Sequence, residues 1–162
     1  MDKKEWLDRL YYVIGRQQYD FALCGLKLKD GEVKSTKWKT YRNVCFPLNP
    51  EENYKLNWIN QRQILPCEVV LDLETKETLP KITSKLTELG YIFYVFQTGS
   101  RGYHVHVFFN RDLTEEEKLQ IIKYFGADTQ KSSKRTMIAL EFSEHYKSGK
   151  IKDLIEDGNN KK

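Results

Sequence analysis

Two carboxylates stand two positions apart at the end of an apolar run. Asp72 and Glu74 follow the segment 68–71, whose β-branched and apolar residues are typical of a buried strand. In a strand, side chains two positions apart point to the same face, so these acids repel each other unless water or a divalent cation surrounds them. The pair is a candidate metal site, with a solvated strand end as the alternative.

A turn bracketed by two glycines carries groups that bind phosphate. Residues 98–104 read Thr-Gly-Ser-Arg-Gly-Tyr-His. The glycines let backbone N–H groups approach an anion, while hydroxyls, a guanidinium and an imidazole supply further donors. The alternative is an ordinary hairpin turn. The candidate phosphate-binding residues are Thr98, Ser100, Arg101 and His104.

The remaining candidates lie nearer the C-terminus. His145 and Lys147 occupy alternate positions after a predicted strand and are close enough in sequence to bind one triphosphate together. A solvated loop is the alternative. Asp128, which follows a predicted helix, offers a third carboxylate, and Glu141 is its rival. His106 follows His104 at the strand period and shares its predicted face.

The elements that must position these groups alternate between helices and strands. Apolar spacing predicts a helix from Trp6 to about Gly15 and a short helix from 51 to 61. Strands are predicted over 68–73, 91–96, 103–109 and 137–142, the middle two as a hairpin. Thr78 is the expected N-cap of a helix ended by Gly90. Thr114 and Glu117 predict a capping box for a helix ended by Gly126.

A further hairpin is predicted near the N-terminus. Asp30-Gly31 separates the strand-like segments 21–28 and 33–45, and the second of these mixes aromatic residues with cations around Trp38 and Arg42. Such a mixture can stack bases and contact phosphates, although an edge strand with a solvated face has the same composition. Together the elements predict an α+β fold in which a mostly antiparallel or mixed sheet is flanked by helices.

Composition narrows the class of protein. The 162 residues predict one domain, 1–162, and contain no apolar run of about 20 residues that would span a bilayer. We therefore expect a cytoplasmic protein with no membrane partner. Cys24, Cys45 and Cys67 form no C-x-x-C pair, so buried thiols are expected in place of a zinc site. A net charge of +4 predicts at most a local nucleic-acid-binding patch.

The motifs taken together resemble those of the archaeo-eukaryotic primase superfamily, most closely the small catalytic subunit of archaeal primases. The acidic pair in 70–74 resembles its first motif, the turn 98–107 its second, and the acid at 128 with the Ser-Glu-His-Tyr-Lys-Ser-Gly segment 143–149 its third region. The likeness extends over about residues 19–150. Thr98 stands where the family usually has Ser, Glu141 stands where many members have Pro, and the zinc-binding cysteines of longer relatives are missing.

The resemblance implies a primase-polymerase core, of the kind related to RNA-recognition folds, and a two-metal nucleotidyltransferase. Asp72, Glu74 and Asp128 would hold two Mg²⁺ or Mn²⁺ ions. The incoming nucleoside triphosphate would bind Thr98, Ser100, Arg101, His104, His145 and Lys147. The implied partners are a single-stranded DNA template and a large primase subunit or other replication proteins, in an archaeal, plasmid or viral setting.

Other functions fit parts of the pattern. A repair or end-joining polymerase would have nearly the same site. A non-catalytic nucleic-acid-binding module could use a similar sheet without a metal. A cupin-like oxygenase could bind one transition metal through a set of four side chains, namely His104, His106, Glu141 and His145.

Overall fold

The computed structural model describes residues 1–13, 22–25, 46–47, 49–55, 59–132, 136–145 and 148–160. The helices are α1 (Lys3–Val13), α2 (Pro50–Asn53), α3 (Leu79–Glu88) and α4 (Glu115–Tyr124). The strands are β1 (Ala22–Cys24), β2 (Phe46–Pro47), β3 (Gln61–Gln63), β4 (Glu68–Leu73), β5 (Ile92–Gln97), β6 (Tyr103–Phe108), β7 (Met137–Ala139) and β8 (Asp153–Asp157). Short 3-10 turns cover Thr129–Ser132 and Gly158–Asn160.

The strands form two antiparallel sheets. The first sheet has the order β2-β1-β3-β7, and the second sheet has the order β4-β6-β5-β8. In the second sheet β6 lies between β4 and β5 and is antiparallel to both, so α3 crosses over from β4 to a strand that is parallel to it but not adjacent. Helices with antiparallel sheets confirm the predicted α+β class.

One face of the second sheet is covered by α3 and α4. Side chains alternate between the two faces of a strand, and the buried odd-numbered residues of β4, β5 and β6 point toward these helices. They form one buried apolar cluster that includes Val69, Leu71, Val95, Val105, Val107, Ile82, Leu86 and Ile122. Even-numbered residues of these strands therefore lie on the opposite face of the second sheet.

The opposite face of the second sheet is covered by α1 and part of the first sheet. Trp6 of α1 lies edge-on to Tyr94 and Phe96 of β5, with ring centroids 5.0 and 5.1 Å away. Leu23 of the first sheet and Phe108 belong to the same buried cluster. Asp72, His104 and His106 also point to this face, because they occupy even-numbered positions of β4 and β6.

The predicted end signals of two helices can be compared with the structure. Thr114 and Glu117 form the predicted capping box at the start of α4. Gly90 and Gly126 follow α3 and α4 with φ of 75° and 70°, as expected for the residue after a helix end. Thr78 was expected to cap α3, but its side chain makes no capping hydrogen bond and its backbone is already helical.

Two predicted boundaries were wrong. The helix expected over 51–61 ends at Asn53, and Gln61–Gln63 is a strand that pairs with both β1 and β7. The strand expected over 137–142 ends at Ala139 and joins the first sheet, and Phe142 turns the chain with a φ of 62°. Sheet pairing overrides local propensity at Gln61–Gln63. The predicted turn at 30–31, Gly15 and the aromatic segment near Trp38 lie outside the described residues.

Membrane insertion gains no support from the helices. None of those in the described part of the chain combines the length and the apolar character that crossing a bilayer requires. Cys24 and Cys67 are buried, as predicted, whereas Cys45 lies outside the described residues.

The turn between β5 and β6 requires glycine at position 102. Gly102 has a φ of 90°, and a Cβ atom there would stand 2.2 Å from the carbonyl oxygen of Leu73. We expect Gly102→Ala to lower the free energy of unfolding by about 3 kcal/mol, since left-handed strain adds to a backbone clash. Gly126→Ala is the control, because its φ is 70° but the position has nothing within 4 Å. Urea denaturation measures both, and equal losses would contradict the clash.

Candidate functional site

The end of β4 presents a carboxylate to an imidazole of β6. Asp72 and His104 are directly opposite each other in the register of the two strands. Nε2 of His104 lies 3.6 Å from Oδ1 of Asp72, and the carboxylate is only partly buried while the imidazole is buried. An acid and an imidazole from the first two sequence motifs are therefore neighbours at the exposed end of the second sheet.

The other two predicted acids lie near the same strand end. Glu74 is exposed on the bend that follows β4. Asp128 donates its backbone N–H to the carbonyl oxygen of Asp72 over 3.4 Å, which brings residues 56 positions apart into contact. Its exposed carboxylate accepts a hydrogen bond from the amide of Gln130. We call this strand end, with Asp72, Glu74 and Asp128, the acidic edge.

The predicted phosphate turn packs directly against the acidic edge. Gly102 approaches the backbone of Leu73 and Glu74 so closely that no side chain fits between them. Thr98 closes the turn, since its hydroxyl donates to the carbonyl oxygens of Arg101 at 2.9 Å and Gly102 at 3.3 Å. The side chains of Ser100 and Arg101 are exposed. The turn thus presents a hydroxyl and a guanidinium beside the acids.

The third sequence region folds as a short hairpin that meets the same turn. Residues 142–145 pair with 148–152 through bonds such as the amide of Phe142 to the carbonyl of Lys152, at 2.8 Å. We call these residues the closing hairpin. The hydroxyl of Ser148 donates to the carbonyl oxygen of Gly99. A Cβ atom on Gly99 would lie 2.6 Å from Cβ of His145, so the turn and the hairpin are in close contact. Lys147 lies outside the described residues.

A metal centre is not preformed in the described residues. No group of three or more His, Cys, Asp or Glu side chains within them has the arrangement that holds a metal ion. The acidic edge instead brings Asp72 and Asp128 together through their backbones, with Glu74 two residues further along the chain. Any ion there would be held by carboxylate oxygens, the ligands that Mg²⁺ and Mn²⁺ prefer.

Behind the candidate site lies a cluster of charged side chains that sequence reasoning missed. Arg62 of β3 makes a two-pronged contact with Glu68 of β4, at 2.7 and 2.6 Å, and also donates to Glu141 at 2.8 and 2.9 Å. All three side chains are at most 2% exposed. Trp6 donates its indole N–H to Glu141 over 2.8 Å. The arginine joins the first sheet to the second.

His106 and Lys152 complete this cluster. The ammonium of Lys152 lies 3.1 Å from Nε2 of His106, 3.4 Å from Glu141 and 2.9 Å from the carbonyl oxygen of Ala139. An ammonium can only donate, so Nε2 accepts and the imidazole proton resides on Nδ1. Nδ1 then donates to Glu68 over 2.6 Å. We call Arg62, Glu68, His106, Glu141 and Lys152 the buried charge network.

The formal charges of the buried charge network balance. Burial raises the pKa of Glu68 and Glu141, but the charge of Arg62 outweighs it and holds both carboxyl pKa values below their usual range. Burial lowers the pKa of His106, and the nearby Lys152 lowers it further, which keeps the imidazole neutral. Two carboxylates therefore face two cations around a neutral histidine.

The buried charge network also affects the ability of His106 and Glu141 to bind a metal ion. Nε2 of His106 and Oε1 of Glu141 are 3.3 Å apart, and the Lys152 ammonium contacts both. A built-in cation thus already contacts both the imidazole and the carboxylate. The sequence signal for this cluster was the acids at 68 and 141 inside or beside apolar runs, since a buried carboxylate needs a partner. Nothing in the sequence pointed to Arg62 or Lys152.

Comparisons with known proteins found no relative. No family model matches the sequence, and neither curated proteins nor solved structures gave a significant match.

Removing the arginine at the centre of the network should unfold the protein more easily. We expect Arg62→Met to lower the free energy of unfolding by about 3–5 kcal/mol, because it leaves two buried carboxylates with too few cations. The same substitution at Arg111, whose ion pair with Glu117 lies on the surface, should change it little. Urea denaturation of both variants tests this, and similar small effects would contradict a structural role for the network.

The lysine of the network predicts a pH dependence of stability. Burial lowers the pKa of Lys152 to about 8 from its ordinary value of 10.5. Between these two values the unfolded chain binds more protons than the folded one, so the free energy of unfolding should rise with pH. Relative to Lys152→Met, the wild-type protein should gain roughly 1 kcal/mol per pH unit across that window. A difference between the two proteins that does not change with pH would contradict the shift.

Proposed function

We propose that this protein is a nucleotidyltransferase of the primase-polymerase type, which joins nucleoside triphosphates on a single-stranded DNA template and releases pyrophosphate. The observation that carries the proposal is the meeting of four separate stretches of chain: the acids at 72 and 74, the glycine turn at 99–102, Asp128 and the closing hairpin. The resemblance assigned metal binding or triphosphate binding to each of these stretches. Their proximity in the fold supports the proposal.

The metals required by this chemistry suit the residues of the acidic edge. The carboxylates of Asp72, Glu74 and Asp128 would hold Mg²⁺ or Mn²⁺, and their oxygens match the preference of these ions. When bound, such a pair lowers the pKa of an attacking hydroxyl and neutralises charge on the phosphates. Asp72 is partly exposed and the other two are exposed, so these carboxylates are accessible from solvent.

The protein groups beside the acids would bind the triphosphate. Arg101 and Ser100 project from the turn into solvent, where a guanidinium and a hydroxyl can donate to phosphate oxygens. His104 is held by the strand beside Asp72 and can donate to a phosphate from a fixed position. Fixed donors of this kind stabilise charge that develops on leaving pyrophosphate. Thr98 contributes by closing the turn.

A non-catalytic module that stacks bases on the second sheet is less well supported. The rings that such a module would offer lie on the face of this sheet that α1 covers and are buried, with Tyr94 at 9%, Phe96 at 0% and Phe108 at 7% exposure. Stacking platforms need exposed aromatic faces. A template would therefore bind elsewhere. Replication proteins such as a large primase subunit remain expected partners of the proposed activity.

Loss of one carboxylate should remove the activity and leave the fold intact. We expect Asp72→Asn to lower nucleotide incorporation by roughly a thousandfold, because an amide holds a divalent cation far less well than a carboxylate does. Incorporation is measured with Mn²⁺, a primed single-stranded template and labelled triphosphates. Glu77→Gln, which changes an exposed acid just beyond the acidic edge, is the matched control and should keep wild-type activity. Near-normal extension by Asp72→Asn would refute the assignment.

The same assay without primer separates the two forms of the proposal. A primase starts a strand from two triphosphates, whereas a repair or end-joining polymerase extends only an existing end. Parallel reactions with ribo- and deoxynucleotides identify the preferred substrate.

A further inference from the structure

The closing hairpin carries His145 but is tied to the body of the protein by Lys152. The backbone of Lys152 pairs with Phe142 and Ser143, while its side chain points the other way, into the buried charge network. This one side chain contacts the carbonyl oxygen of Ala139 on β7 and Nε2 of His106 on β6. It therefore links the hairpin to both sheets at once.

We propose that Lys152 and His106 are positioning residues for the triphosphate-binding part of the site, and that their contact holds the closing hairpin against β6 so that His145 meets the Gly99 turn. This inference rests on the proposed function, because it assigns a role within that site. The two residues touch neither substrate nor metal in the proposal. They act through His104 and His145.

The His106 ring is held in place by charged partners at both of its nitrogens. Nε2 lies 3.1 Å from the Lys152 ammonium and Nδ1 lies 2.6 Å from the Glu68 carboxylate, so a proton on Nδ1 satisfies both of these contacts. Nη2 of Arg62 and Oε1 of Glu141 lie further away, at 3.2 Å from Nδ1 and 3.3 Å from Nε2. The imidazole is fully buried and lies edge-on to the ring of His104, with centroids 6.0 Å apart. Because its partners on both sides fix the His106 ring, this ring is a rigid support for His104.

The closing hairpin connects Lys152 to the turn at Gly99. The ammonium also lies over the ring of Phe96, 5.5 Å from its centroid, which adds β5 to the strands that hold it. From Lys152 the hairpin runs back to Ser148, whose hydroxyl donates to the carbonyl oxygen of Gly99. Gly99 has no space for a Cβ, since Lys150 and His145 already pack on it. A shift at the base of the hairpin must therefore move the contact at its tip.

Two variants separate the positioning role of Lys152 from its contribution to the charge balance of the buried charge network. Lys152→Met keeps the length of the side chain but leaves the network with one uncompensated negative charge. The double variant Lys152→Met/Glu141→Met removes a charge of each sign and restores the balance, and neither methionine can donate a hydrogen bond. It does not restore a donor to Nε2 of His106 or to Ala139. The two variants therefore share the loss of positioning and differ in electrostatic stability.

The test measures steady-state incorporation at neutral pH, with the full chain, Mn²⁺, a primed template and a varied triphosphate. We expect both Lys152 variants to raise KM for the triphosphate by roughly tenfold, with KM for the primed template unchanged. The double variant should recover unfolding stability relative to the single variant without recovering KM. Lys118→Met is the matched control, because Lys118 is also a buried lysine bonded to a backbone carbonyl, that of Leu65, and should keep the wild-type KM.

Amide hydrogen exchange gives a second readout that needs no activity. The amides of His145 and Gly149 bond within the hairpin at 2.8 Å, and in both Lys152 variants they should exchange roughly tenfold faster than in the wild type. A wild-type KM in Lys152→Met, or a double variant that regains KM together with stability, would overturn the positioning role. Unchanged exchange at His145 would overturn it as well. If the wild type incorporates no nucleotide, the proposed function fails, and the exchange rates still decide whether Lys152 holds the hairpin.

Discussion

The structure depends on the contact of one arginine with two buried carboxylates. Arg62 comes from a three-residue strand of the first sheet, yet it satisfies acids that belong to β4 and to the chain after β7. Burying these carboxylates without a cation would be strongly unfavourable, so the two sheets can pack only when the guanidinium is in place. Trp6 adds α1 to the same contact through its hydrogen bond to Glu141. One charged cluster thus sets the arrangement of helix and sheets.

The candidate site inherits its geometry from this cluster. β4 and β6 each carry one member of the network and, toward the end of the sheet near the glycine turn, one member of the site, namely Glu68 with Asp72 and His106 with His104. Fixing the inner pair fixes the register, and a slip of one residue would turn both site residues to the opposite face. The two strands therefore link the position of the buried charge network to the geometry of the partly exposed acidic edge.

The parts of the fold that could be predicted from sequence are those governed by local rules. The capping box of Thr114, the glycine after α3 and the alternation within β6 each depend on residues only a few positions apart. β3 could not be predicted, since Gln61–Gln63 lacks β-branched residues and is a strand only because β1 and β7 flank it. The roles of Arg62 and Lys152 could not be predicted either, for a related reason. No local rule connects an arginine at 62 with a glutamate 79 residues later.

In the candidate site too, local rules predict some features and not others. The two histidines of β6 illustrate this difference. The strand period correctly puts His104 and His106 on one face, but it says nothing about depth. His104 lies one residue from the start of β6 and faces a partly exposed carboxylate, whereas His106 lies roughly 7 Å further along the strand and is enclosed by the network. The same residue type therefore suits two tasks. An imidazole at the edge can exchange partners with a ligand, and an imidazole between an ammonium and a carboxylate is held in one tautomer.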